Sequence, residues 1–221
     1  MRQARMSIDR PWLAGGAAAA LASLWLAMLL LGARDGDREV LMALYAGDEP
    51  WLALAALGFT YLGNWPTVVV VTILGAAWLL YRGKRRAALL LLIASFSGRL
   101  LVILEKAYFA RLRPEENLRL AEVHYQSFPS GHAANSMIVY LGLALLAFGD
   151  PHHRRWAVAG ALLLSFLIGL SRPMLGVHWP SDVVAGWSFG AFWLLLVLAV
   201  AERWTGRNLA KAEPMPPSES A

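Results

Sequence analysis

Apolar runs of about twenty residues recur along this chain, and nearly all of its charge falls in the short stretches between them. A run of that length satisfies its own backbone hydrogen bonds only as a helix, and that helix covers a hydrocarbon core of about 30 Å. The composition agrees: 58% of the residues are hydrophobic and 16% are charged, against about a quarter charged in an ordinary soluble domain. The expectation is an all-α, polytopic membrane protein.

Six spans are predicted, at about 11–33, 62–81, 86–108, 133–148, 156–170 and 183–201, within one membrane-embedded domain over 1–203. Arg2, Arg5 and Arg10 precede the first span, as basic residues precede a signal peptide. Its apolar region is about twice the 7–15 residues of a signal-peptide core, so an uncleaved anchor is expected. Residues 34–61 form an outer-face connection. Its part from Trp51 to Trp65 is short and bracketed by tryptophans, which favour headgroup level. Two placements stay open for it: a helix lying along the interface, or the first half of the second span. The tail over 204–221, rich in Pro, Ser and Glu, is expected to be disordered and cytoplasmic.

Lysine and arginine choose the orientation. The N-terminal tail, the Arg82–Arg86 loop, the Arg154-Arg155 loop and the C-terminal tail carry twelve of them. The other face carries seven: Arg34, Arg38, Lys106, Arg111, Arg113, Arg119 and Arg172. This bias places both termini in the cytoplasm, with the outer loops facing the periplasm or exterior of the cytoplasmic membrane. The net charge of +5 therefore reads as a topology signal, not as a nucleic-acid footprint. There is no cysteine, which excludes disulfides, thiolate metal sites and a cysteine nucleophile.

Three polar strings lie at the outer ends of these spans. Lys106 follows Arg86 by twenty residues, about 30 Å of helix, so it emerges where a lipid phosphate sits. Arg113-Pro114 follows, offering a planar fork for two phosphate oxygens beside the compact ammonium of Lys106. Pro129-Ser130-Gly131-His132 opens the fourth span. Gly131 permits close backbone approach, and Ser130 with the free N–H groups of the helix start can donate to an anion. Ser171-Arg172 precedes His178 and Asp182. Pro180 starts a helix with Asp182 in its first turn, reaching back to the His178 ring. Such a bond to Nδ1–H leaves Nε2 unprotonated, as a nucleophile requires.

Together the strings read Lys-x6-Arg-Pro, Pro-Ser-Gly-His and Ser-Arg-x5-His-x3-Asp. This pattern resembles the signature of the type 2 phosphatidic acid phosphatase family, and the resemblance covers about residues 60–200. It implies a six-transmembrane-helix bundle with catalytic loops on the outer face. It implies that His178 is the nucleophile, forming a phosphohistidine, and that Asp182 orients it. His132 would protonate the leaving oxygen and then activate water. Lys106, Arg113, Ser130, Gly131 and Arg172 would hold the phosphoryl oxygens, so that no metal or other cofactor is called for. The substrate would be a lipid phosphomonoester or diphosphate: phosphatidic acid, phosphatidylglycerol phosphate or a polyprenyl diphosphate. No obligatory protein partner is inferred. Two alternatives stay in view, a lipid phosphotransferase using the same phosphohistidine and a non-enzymatic lipid transporter or scaffold. Arg99, inside the third span, either extends the electropositive cleft or joins a structural pair.

Overall fold

The computed structural model describes residues 11–212, with side chains over 15–204, and the elements among them are helices. In order they are α1 (Pro11–Leu31), α2 (Asp35–Leu44), α3 (Pro50–Gly63), α4 (Trp65–Tyr81), α5 (Arg85–Phe109), a short turn of helix at Glu116–Leu118, α6 (Gly131–Ser136), a π segment (Met137–Leu141), α7 (Gly142–Ala147), α8 (Pro151–Met174) and α9 (Pro180–Ala212). Three are long and apolar enough to cross a membrane singly: α5, α8, and α9 over Pro180–Trp204. Two bent pairs also qualify, α1 with α2 and α3 with α4. Leu74, Leu89, Ile93, Leu100, Leu104, Leu163 and Phe166 stand exposed on α4, α5 and α8. Bare aliphatic surface on helices of this length is what a hydrocarbon solvent requires.

The predicted fourth span is the shorter continuous helix Gly131–Ala147, made of α6, the π segment and α7. It is the centre of the bundle. Residues 133–139 are all buried, with α5, α8 and α9 packed around them. Small residues permit the contact with α9. A Cβ built on Gly186 would stand 2.6 Å from the Ser130 carbonyl oxygen, and one on Gly190 would stand 2.6 Å from that of Ala134. Glycines four apart let helix backbones approach this closely in a membrane.

Both bends follow from local chemistry. Between α1 and α2 the chain turns by 101°, with Ala33 at φ 59. The Asp37 carboxylate accepts the Ala33 N–H at 2.7 Å, and also the N–H of Ser181 at 3.0 Å, which pins α2 to the start of α9. Between α3 and α4 the bend is 48°, at Asn64. Pro66 has no N–H to give the Leu62 carbonyl, and Tyr140 Oη donates to that oxygen instead, at 2.8 Å. Because α3 packs along α8, residues 50–63 form the upper arm of a broken helix. Of the expected outer-face segment, only α2 turns across the direction of its span.

Helix ends differ from expectation in several places, α8 starting at Pro151 instead of 156 and α9 at Pro180 instead of 183. Helix α8 runs to Met174, past the expected end at residue 170, and carries Ser171 and Arg172 in its last turn. Pro173 lies so near the end that it removes only one helical hydrogen bond. Helix α9 continues to Ala212, beyond the expected start of the tail at 204. The sequence there, Asn208-Leu209-Ala210-Lys211-Ala212, is rich in helix formers and Pro214 follows. The rest of the expected disordered tail lies outside the described residues.

Candidate active site

Four helix ends meet on one side of the bundle. Lys106 is in the last turn of α5, Ser130 precedes α6, Arg172 is in the last turn of α8, and His178 precedes α9. The loop over 110–130 closes over them. Arg119 donates to the Pro114 carbonyl at 2.8 Å and 3.0 Å, and the Leu120 N–H bonds the Leu175 carbonyl at 2.9 Å. Gly176, at φ 67, allows the loop to lie against Leu118.

His178 is 2% exposed and Asp182 is fully buried. The geometry around Nδ1 is richer than the expected single contact. Asp182 Oδ2 stands 3.4 Å away, and Ser127 Oγ stands 3.3 Å away while itself donating to Asp182 Oδ2. The same oxygen accepts the Trp179 N–H at 3.1 Å. On the other edge of the ring, Arg113 Nη1 approaches Nε2 to 3.1 Å. A guanidinium can only donate, so Nε2 is the lone-pair nitrogen and the ring proton lies on Nδ1. Burial first, then the charges of Arg113, Lys106 and Arg172, hold His178 well below the ordinary imidazole range. It is therefore neutral at physiological pH.

The cations divide into two kinds. Arg111 pairs with Asp182 Oδ1 at 2.8 Å. It also donates to the Met28 and Leu29 carbonyls at 3.0 and 2.7 Å and lies over the Phe128 ring, 4.3 Å from its centroid. Asp182 is thereby neutralised. The other three have only neutral hydrogen-bond partners among the described residues. Lys106 Nζ donates to the carbonyls of Gln126 at 2.6 Å and Ser127 at 3.1 Å. Arg113 donates to the carbonyls of Tyr125 at 2.6 Å and Val177 at 2.5 Å. Desolvation pulls Arg113 down to about 10, which leaves it charged. Arg172, 3% exposed, donates to Thr60 Oγ1, and its Nε has no acceptor.

The Pro-Ser-Gly-His string completes the cluster. The Ser130 N–H bonds the Asp182 carbonyl at 2.9 Å, while its buried hydroxyl has no partner. A Cβ on Gly131 would come within 3.9 Å of Lys106 Cε. His132 Nε2 lies 2.7 Å from Asn64 Oδ1. Buried cations without counter-charge and donors without acceptors are costly in isolation. They describe a cradle for an anion with several oxygens.

Sequence reasoning missed Arg111, Ser127, Thr60 and Asn64. In the sequence Arg111 reads only as an outer charge, though it lies inside the Lys-x6-Arg string, and the other three carry no local signal. Arg99 is half-buried, with its guanidinium 5.4 Å from the Trp65 ring centroid, a cation–π contact at the α3–α4 bend.

The sequence matches the family model described as PAP2 superfamily over residues 86–205. It is 32% identical over 195 residues to phosphatidylglycerophosphatase B of Bacillus subtilis (strain 168), covering 82% of this chain and 94% of that one. It is also 32% identical over 166 residues to a lipid A 1-phosphatase of Rhizobium johnstonii, covering 71% of this chain and 64% of that one. The crystal structure of a transmembrane PAP2-type phosphatidylglycerolphosphate phosphatase from Bacillus subtilis superimposes with a TM-score of 0.75 at 29% identity, over 84% of this chain and 96% of that chain. With its all-helical membrane fold and this similarity, the chain belongs to the PAP2 superfamily and is a phosphoric ester hydrolase.

Proposed function

We propose that this protein hydrolyses a phosphomonoester or diphosphate group of a membrane lipid, at the outer face of the cytoplasmic membrane, through a phosphohistidine and without a metal. The carrying observation is the set of three cations, Lys106, Arg113 and Arg172, that surround His178 with only neutral partners of their own. A bound phosphoryl group supplies the negative charge they lack.

The chemistry follows from the geometry. As the phosphate binds, Arg113 leaves Nε2 for the phosphoryl oxygens, joining Lys106, Arg172 and the Ser130 hydroxyl. His178 Nε2 attacks phosphorus, the P–O bond to the lipid breaks, and His132 gives its proton to the departing oxygen. Asp182 and Ser127 hold the Nδ1 proton and stabilise the positive ring. His132, now neutral, takes a proton from water. The water oxygen attacks phosphorus, the N–P bond breaks and inorganic phosphate leaves. Spread of charge over three cations serves the role that magnesium serves in kinases.

The outward orientation rests on the excess of Lys and Arg on the opposite face. The substrate classes follow the relatives, which are named for phosphatidylglycerophosphate and lipid A. The test is phosphate release from purified phosphatidic acid, phosphatidylglycerol phosphate and polyprenyl diphosphate in detergent with EDTA. Turnover of at least one, abolished in His178→Ala, is expected. Activity that needs added metal, or survives in His178→Ala, would overturn this reading.

A further inference from the structure

At the break between α3 and α4, three consecutive residues are tied to the central helix Gly131–Ala147. Leu62 gives its freed carbonyl to Tyr140, as described above. Gly63 faces His132 so closely that an added Cβ would stand 3.0 Å from the ring's Cδ2. Asn64 presents its side-chain oxygen to His132 Nε2 at 2.7 Å. The elbow is itself stiffly held. The Asn64 N–H bonds the Tyr61 carbonyl at 3.3 Å, its own carbonyl accepts the Val68 N–H at 3.0 Å, and Trp65 lies against Arg99. A kink in a membrane helix needs none of the contacts to a histidine.

We propose that Asn64 is the positioning residue for His132, holding the ring so that proton exchange with the lipid's leaving oxygen takes place at Nδ1. This rests on the general acid and base role proposed for His132. An amide oxygen only accepts, so the ring nitrogen facing it keeps its proton in both ionisation states. The imidazolium therefore donates from Nε2 to Asn64 and from Nδ1 to the leaving oxygen. After that transfer the ring is neutral, with its lone pair on Nδ1, and the same atom receives the proton of the attacking water. Among the described residues Nδ1 makes no hydrogen bond. Its availability is what the role requires. Asn64 resembles the carboxylate that orients a catalytic imidazole, but its neutrality leaves the positive field of Lys106, Arg113 and Arg172 intact for the phosphate.

Leaving-group dependence separates positioning of an acid from general support of the fold. A nitrophenolate departs readily without a proton, whereas an alkoxide needs one. We would compare nitrophenyl phosphate with a short-chain alkyl phosphate by kcat/KM, which reports the steps up to release of the alcohol. For Asn64→Leu, the alkyl ester is expected to lose on the order of 100-fold, and the aryl ester to stay within a few-fold. Asn64→Asp, which keeps the acceptor but adds a negative charge, is expected to lower both activities together and to keep the wild-type ratio of alkyl to aryl turnover. His132→Ala is expected to show the same selective loss as Asn64→Leu. Equal loss on both esters in Asn64→Leu, or a selective loss of the alkyl ester in Asn64→Asp, would overturn the proposal. If Asn64→Leu does not fold, the isosteric Asn64→Asp comparison decides alone. Failure of the hydrolase reading looks different: wild type would then turn over neither ester, or His178→Ala would turn over both.

Discussion

Asp182 is a fully buried carboxylate that touches an arginine, a serine hydroxyl, a backbone N–H and an imidazole. Its Arg111 partner removes the net charge, so the carboxylate is balanced without drawing on Lys106, Arg113 or Arg172. Breaking a buried pair leaves one charge stranded. Arg111→Met is accordingly expected to cost about 3 kcal/mol of stability, read as a lowered denaturation temperature in detergent. A neutral outcome would show that Asp182 is satisfied without it. His178 sets a second expectation. Its folded value lies below the ordinary value of about 6.5. As pH falls below that value, the unfolded chain takes up a proton that the folded chain refuses, so stability present above it is progressively lost. Melts between pH 8 and 5 should show this decline, and His178→Asn should flatten it. Identical slopes in the two proteins would contradict a buried neutral ring.

At the scale of elements, the site depends on how near α9 can come to α6. Gly186 and Gly190 bring the two backbones together, and Gly186 faces the carbonyl of Ser130 itself. Overpacking of a fitted contact costs about 1–3 kcal/mol. Gly186→Ala and Gly190→Ala should both destabilise by that order in thermal melts. Only Gly186→Ala, which pushes directly on the Pro-Ser-Gly-His turn, should also lower kcat several-fold in the folded protein. Equal catalytic loss in both would mean that helix separation, not the turn, is what matters. The spanning helices were legible because each is a long apolar run with its charges at or near the ends. The bends were harder to read. Nothing local told whether the apolar residues between Trp51 and Trp65 bent away or lay flat, since that depends on α8.

For the whole molecule, the three polar strings were legible because span lengths deliver the ends that carry them to one face. Lys106, Ser130, Arg172 and His178 then meet without further information. The supporting residues were not. Arg111 finds Asp182 across 71 residues, Ser127 finds it across 55, His132 finds Asn64 across 68, and Arg172 finds Thr60 across 112. Short polar side chains at such separations leave no periodic trace. Orientation is testable on the whole chain because it has no cysteine. Glu122→Cys should react with a membrane-impermeant maleimide in intact cells, and His152→Cys only after permeabilisation. The reverse pattern would place the catalytic face in the cytoplasm.

The proposed function stands or falls with a phosphoryl group carried on His178. Rapid quenching of the purified protein with labelled nitrophenyl phosphate, which can form the adduct without a proton from His132, measures this directly. An acid-labile, alkali-stable phosphoryl adduct on His178 is expected, absent in His178→Ala and longer-lived in His132→Ala, where water goes unactivated. Steady hydrolysis with no trapped adduct in His132→Ala, or label on another residue, would contradict it.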